Sequence, residues 1–165
     1  MESKYARLEY ERRWLVTQLP DLGPNVEGSH IDDRYLCGTT LRLRRVTPIG
    51  NGPPVYKLGQ KVRPDPDDSR QVLHTTMYLT ADEYTCLSRL AGFNLQKMRY
   101  RLAREGRTFS LDVFQGKLSG LALLEIETEP GDTSFTAPPF VDREVTGEER
   151  YTGGWLARAS NESIE

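Results

Sequence analysis

Most of this chain alternates. Segments of five to ten residues place charged and apolar side chains at successive positions, and turn material separates them at Leu19–Pro24, Pro48–Pro54, Arg63–Ser69, Glu105-Gly106 and Glu129–Pro139. A repeat of two belongs to extended backbone, whose successive side chains point to opposite faces. The pattern predicts strands over Ala6–Val16, Thr40–Thr47, Val55–Val62, Val72–Leu79, Leu95–Ala103, Thr108–Phe114, Leu121–Thr128 and Val141–Val145. Helical spacing is confined to two places. Thr80-Ala81-Asp82-Glu83 is a capping box, in which hydroxyl and carboxylate each satisfy an exposed N–H; it predicts a helix to about Leu90, closed by Gly92, with Tyr84, Leu87 and Leu90 on one stripe. A second box at Thr146-Gly147-Glu148-Glu149 predicts a short helix carrying Tyr151, Trp155 and Leu156, against the flexibility of Gly153-Gly154. No repeat or composition shift divides residues 1–165, which read as one mainly β domain with a few helices.

The alternation gathers the charges onto one face of each strand. Arg7, Glu9, Glu11 and Arg13 share a face, as do Arg42 and Arg44, Lys57 and Lys61, Lys97, Arg99 and Arg101, and Glu125 and Glu127. For one strand the plain reading is a solvated face of an antiparallel sheet. Taken together, the strands segregate the signs: carboxylates on the first and last, cations on those between. An open sheet of about eight strands also leaves two edges unpaired, whereas closure into a barrel removes them and turns the charged stripes inward. The apolar faces then point outward, and the one clearly signalled helix is too little to cover them, so part of the outside is expected to be buried in a homodimer. Charges inside a barrel need partners. Clustered carboxylates suit a hard divalent cation and clustered Arg and Lys a multiply charged anion, so the expected guest is a metal-bound polyphosphate.

Composition narrows the choice. Twenty-two Lys+Arg against 24 Asp+Glu give a formal charge of −2, which does not favour nucleic acid or an anionic membrane as a partner. No apolar run approaches the roughly 20 residues of a membrane span, and Met1–Tyr5 lacks the apolar run of a signal peptide, so a cytoplasmic location is expected. Cys37 and Cys86 stand far apart with only His30 and His74 for company, which argues against a Cys/His metal site.

Glu9-Tyr10-Glu11-Arg12-Arg13-Trp14-Leu15-Val16 resembles the E-x-E-x-K signature of the CYTH, or triphosphate tunnel metalloenzyme, superfamily. Arg34-Tyr35-Leu36 with Leu41-Arg42-Leu43-Arg44-Arg45 is similar to its Y-L…L-R-L-R segment, Tyr56–Lys61 to its lysine-bearing strand, and Lys97-Met98-Arg99 to its K-x-R. Leu111–Leu121 followed by Leu124-Glu125-Ile126-Glu127 resembles D-x-F-x-G-x-L-x-G-L…E-x-E, and Glu144-Val145-Thr146-Gly147 through Tyr151 its E-V-T…Y ending. The likeness covers about residues 5–157 in order. It implies an eight-stranded antiparallel tunnel acting on triphosphates with Mg²⁺ or Mn²⁺. It further implies that Glu9, Glu11, Glu125 and Glu127, with Asp112, hold the metal; that Arg42, Arg44, Lys57, Lys61, Lys97 and Arg99, with Arg70, grip the phosphates; and that Glu9, Glu11, Arg13 and Lys61 stand closest to the chemistry.

The chain departs from the pattern in three ways. Arg13 replaces the signature lysine, keeping the charge but not the readily surrendered proton. The strand after Ser69-Arg70 carries no carboxylate, where relatives alternate glutamates, and its His74 reads as a satisfied polar residue. Lys57 adds a cation in phase with Lys61. Among the family's activities, inorganic tripolyphosphate hydrolysis needs only metal and cations, so it is the first expectation. A class IV-type adenylyl cyclase or a thiamine triphosphatase needs a further site for the organic group. A non-catalytic polyphosphate- or nucleotide-binding protein would have little use for four tunnel glutamates.

Overall fold

A computed structural model of the chain describes residues 4–132, 134 and 136–161. Eight antiparallel strands close into a barrel: β1 (Arg7–Leu15), β2 (Glu27–Leu36), β3 (Leu41–Pro48), β4 (Val55–Val62), β5 (Gln71–Leu79), β6 (Gly92–Arg104), β7 (Arg107–Phe114) and β8 (Ala122–Thr128). Their order around the barrel is β1-β5-β4-β3-β2-β6-β7-β8, returning to β1. Helix α1 (Ala81–Leu87) connects β5 to β6, and α2 (Gly153–Asn161) follows a 3-10 turn at Glu149–Tyr151. Among the described residues, no helix is long and apolar enough to cross a membrane.

The turn chemistry read from the sequence closes the hairpins. Glu105 and Gly106 have φ of 50° and 72°, the left-handed pair of a tight hairpin turn between β6 and β7. The capping box of α1 forms as expected, with Glu83 N–H donating to Thr80 Oγ1 at 3.2 Å and Thr80 N–H to Glu83 Oε2 at 2.8 Å. The helix stops at Leu87, short of Leu90, and Gly92 opens β6. Tyr84 carries α1 onto the outer face of the barrel, its ring 4.7 Å from that of Tyr56 on β4.

Two expectations are corrected. Val141–Val145 is not a strand: it contributes one bridge, Trp14 to Glu144, flanked by Leu15 N–H to Arg143 O at 2.9 Å and Val145 N–H to Arg13 O at 2.8 Å. It lies along the half of β1 that β5, paired only with Arg7–Tyr10, leaves open. The eighth strand is β2, whose Gly28-Ser29-His30-Ile31-Asp32-Asp33-Arg34 is polar on both faces and so lacks the alternation that marks the others. The box at Thr146 does not cap a helix either: its hydroxyl accepts from Arg13 N–H and donates to Glu144, and α2 begins later, at Gly153.

Apolar side chains form two clusters. On the outside of β1, β7 and β8, Trp14, Phe109, Leu111, Leu124 and Ile126 are buried beneath Leu22, Ala137, Phe140 and Val141, so the chain's own loops cover this face. At one end of the barrel the inward-facing Leu95, Phe114 and Leu123 pack with Val145, Leu156 and Ala157, so α2 lies across that end. Leu8, Leu73 and Val62, adjacent on β1, β5 and β4, remain in an open row outside, where Leu8 is 45% and Val62 40% exposed.

Helix α2 sits close enough to the wall to require glycine. A methyl group at Gly153 would overlap the Tyr35 hydroxyl. Gly153→Ala is therefore expected to destabilise the fold by about 1–3 kcal/mol in a denaturant titration, with Tyr35→Phe restoring part of the loss; an alanine variant as stable as the parent would show that α2 does not seat there.

Candidate active site

Directly paired residues of neighbouring strands share a face, so the register fixes which side chains look inward. Arg13 pairs with Glu125 and Glu11 with Glu127 across β1 and β8; Arg99 pairs with Asp112 across β6 and β7. Asp33 pairs with Arg44, Arg44 with Lys57, and Lys61 with His74 around the opposite wall. The charged stripes thus face the interior, as closure requires. Asp33, Arg44, Lys97 and Asp112 are buried.

Each buried carboxylate is held by cations. Arg44 grips Asp33 through two bonds of 2.6 and 2.7 Å, and Arg42 stands 3.8 Å away. Asp112 accepts from Lys97 at 2.6 Å and from both ends of the Arg99 fork at 2.7 and 2.8 Å, so both its oxygens are taken. Lys61 binds Glu11, and Arg13 binds Glu125 at 3.2 Å. At the far rim Arg7 meets Glu127 at 2.7 Å, with both side chains largely in water. Among the described residues, the inward face thus carries nine cations (Arg7, Arg13, Arg42, Arg44, Lys57, Lys61, Lys97, Arg99, Arg101) and seven carboxylates (Glu9, Glu11, Glu27, Asp33, Asp112, Glu125, Glu127). The surplus is positive. Within it, the Nε of Arg42 is buried without a hydrogen-bond partner. An unmet guanidinium donor among further cations is a place for an anion.

The electrostatics divide the carboxylates. Burial and the neighbouring charge of Glu125 raise the pKa of Glu11, against the pull of Lys61. Burial would also raise Glu125, but Arg13, Lys61, Arg99 and Lys97 hold it well below the usual carboxylate range. Burial pushes Lys97 down to about 8, with Asp112 opposing and Arg99 and Arg44 adding to the drop. Burial, aided by Lys61, lowers His74 despite Glu9, which leaves the imidazole neutral near pH 7. Its Nδ1 then donates to Glu9, 3.1 Å from each oxygen, while Nε2 accepts from the Thr76 hydroxyl at 3.1 Å.

Most of the expected site residues come together. Glu9, Glu11, Glu125, Glu127, Arg13, Arg42, Arg44, Lys57, Lys61, Lys97, Arg99 and Asp112 all face the interior. Arg70 does not join them: it lies in the β4–β5 connection, exposed and bound to Asp68 at 2.8 Å. Asp33 was missed because its strand was missed, although its position two residues before Tyr35 puts it in phase with the tunnel face. Among the described residues, no three His, Cys, Asp or Glu side chains converge closely enough to form a ready-made metal cluster. The hard oxygen donors nevertheless suit a divalent cation: Glu11 and Glu125 sit on neighbouring strands with Arg13 Nη2 between them, 4.0 and 3.2 Å from their oxygens, and the charge of Glu125 still raises the Glu11 pKa.

A closed antiparallel barrel with apolar outer faces and ion pairs on its inner face defines the class of this protein. No family model matches the chain. It is 41% identical over 156 residues to an inorganic triphosphatase of Nitrosomonas europaea, a match spanning 90% of this chain and 96% of that one. It is 38% identical over 64 residues to an inorganic triphosphatase of Acetivibrio thermocellus, a stretch covering 39% of this chain and 41% of the relative. Among solved structures, the inorganic triphosphatase NE1496 superimposes with a TM-score of 0.60 at 26% identity over 90% of this chain and 93% of that one. The chain belongs to the CYTH, or triphosphate tunnel, family.

Asp112 anchors two buried cations at once. Asp112→Asn is expected to cost about 3 kcal/mol or more in a denaturant titration, because it leaves Lys97 and Arg99 buried without their counter-charge; a loss below about 1 kcal/mol would show that the pairs do not carry this interior.

Proposed function

We propose that this protein hydrolyses inorganic tripolyphosphate with the help of Mg²⁺ or Mn²⁺ inside the barrel, in the cytoplasm. The observation that carries the reading is the buried Arg42 Nε, which makes no hydrogen bond and has only Asp33 at 3.8 Å, in an interior with surplus positive charge. The names of the two bacterial relatives support the same activity. Cleaving a phosphoanhydride leaves a protein little covalent work; it must align the chain with an attacking water and neutralise charge on the phosphoryl oxygens. Arg42, Arg44, Lys57, Lys61, Lys97 and Arg99 line the path and bind those oxygens, with the planar fork of Arg42 suited to paired contacts. Asp33 and Asp112 hold these cations in place.

Glu9, Glu11, Glu125 and Glu127 would hold the metal, which when bound supplies neutralising charge at the phosphate oxygens. His74 and Thr76 fix the orientation of Glu9, the task left to β5 in the absence of its own carboxylates. Arg70 has no part in this path. We retain the homodimer in the proposal, with the open row of Leu8, Leu73 and Val62 as its surface.

One feature favours a second reading, an organic triphosphate as in a thiamine triphosphatase or adenylyl cyclase. Tyr78 stands 72% exposed on the inward face at the open rim, with the Lys57 amine 5.1 Å from its ring, an aromatic surface for an organic group.

The test gives the purified protein tripolyphosphate, ATP and thiamine triphosphate in turn with either metal, and follows phosphate and cyclic nucleotide. Rapid release from tripolyphosphate is expected, with Arg42→Ala and Glu125→Gln each lowering kcat/KM by about 100-fold or more. Unchanged turnover in the folded variants would contradict the site; preference for an organic triphosphate, lost in Tyr78→Ala, would favour the second reading.

A pH profile offers a separate check. Lys97 is charged below its folded pKa of about 8 and loses its proton above it, so kcat/KM is expected to fall as pH rises through that value. Lys97→Arg keeps its charge and should remove this alkaline limb; a limb unchanged in that variant would rule Lys97 out as its source.

A further inference from the structure

Arg13 stands where the family signature has lysine, and its contacts use all three nitrogens of the guanidinium. Its Nε and Nη2 lie 3.3 and 3.2 Å from Glu125 Oε2, while Nη1 donates to the Tyr151 carbonyl at 2.9 Å. The backbone at the same residue is tied to the same C-terminal segment: Arg13 N–H donates to Thr146 Oγ1 at 3.0 Å and its carbonyl accepts from Val145 N–H at 2.8 Å. Tyr151 ends the 3-10 turn that leads into α2, and α2 lies across the barrel end through Leu156 and Ala157. A guanidinium fork offers donors in two directions at once, so one side chain reaches a carboxylate on β8 and a carbonyl on the covering segment. A lysine ammonium gathers its three donors on one nitrogen, so it cannot place separate nitrogens against the two acceptors as the fork does.

We propose that Arg13 is a positioning residue that ties the tunnel carboxylate Glu125 to the C-terminal cover, so that closure of this barrel end and placement of Glu125 form one arrangement. Its influence on turnover, which rests on the triphosphatase reading above, passes through the cover and not through proton transfer. The cover has a second, apolar attachment in Leu156, buried at 4% exposure. Loosening either attachment should therefore have the same consequence, and loosening both should add little, as for residues acting through one element.

The experiment compares wild type, Arg13→Lys, Leu156→Ala and the double variant. Hydrogen exchange of residues 149–157 is read without ligand, and kcat and KM are read with tripolyphosphate. Arg13→Lys is expected to speed exchange in this segment about tenfold, while strands β6 and β7 keep their protection. Both single variants should lower kcat/KM, and the double variant should lose no more than the worse single one. Unchanged exchange in Arg13→Lys overturns the proposal, and so does a double variant whose loss equals the product of the two single losses. Should Arg13→Lys fail to fold, Arg13→Gln, which keeps an amide donor toward Glu125 alone, takes its place. If wild type does not turn over tripolyphosphate, the activity reading fails, and the exchange measurement alone still decides whether Arg13 holds the cover.

Discussion

A charge moved from water into a protein costs several kcal/mol unless a partner and hydrogen bonds repay it, and this barrel takes charges inside from most of its strands. Asp33 between Arg44 and Arg42, Asp112 between Lys97 and Arg99, and Glu125 beside Arg13 are the repayments that make the interior tolerable. They are also what readies it. Cations pinned by buried carboxylates need not be reorganised when a polyanion arrives, and their surplus leaves room for its charge. The pairs are therefore both what allows the strands to close with these faces inward and what sets the chemistry the interior can perform.

Closure forces a matching solution on the outside. With the charged faces inward, Trp14, Leu111, Leu124 and Ile126 point away from the axis and must be covered by something other than a second sheet. The chain supplies Leu22 and the 137–141 segment over β1, β7 and β8, and α1 over β4. It then sends α2 across one end, where inward-facing side chains turn from charged to apolar. That change of character along the barrel axis, from Arg7 and Glu127 at one rim to Leu95, Phe114 and Leu123 at the other, makes its two ends chemically different.

The strands legible in the sequence were those with one charged and one apolar face, because such a strand alternates whichever face turns inward. Strand β2 escaped for the opposite reason. Asp33 looks into the charged interior, while His30, Asp32 and Arg34 on the other face pair with Gln115, Arg45 and Asn94 outside. With both faces polar, no period stands out, and Asp33 stayed hidden with its strand. Glu9, Glu11, Glu125 and Glu127 and the Arg and Lys rows were legible as stripes, but which cation holds which carboxylate depends on register across strands far apart in the chain. The role of Arg13 was equally out of reach, since Tyr151 lies 138 residues away along the chain. Arg70 looked available from its sequence position and is instead spent on Asp68 within its own turn.

The central claim, that the paired interior of this barrel is a triphosphate site, is tested most directly by a crystal structure of the protein grown with tripolyphosphate and Mn²⁺, using the anomalous signal of manganese to locate the metal. The account predicts a phosphate chain inside the barrel with an oxygen on Arg42 Nε, and manganese against the carboxylates of β1 and β8. Phosphate bound only on the exterior, with Arg42 Nε still unmet and the interior ion pairs unchanged, would contradict it.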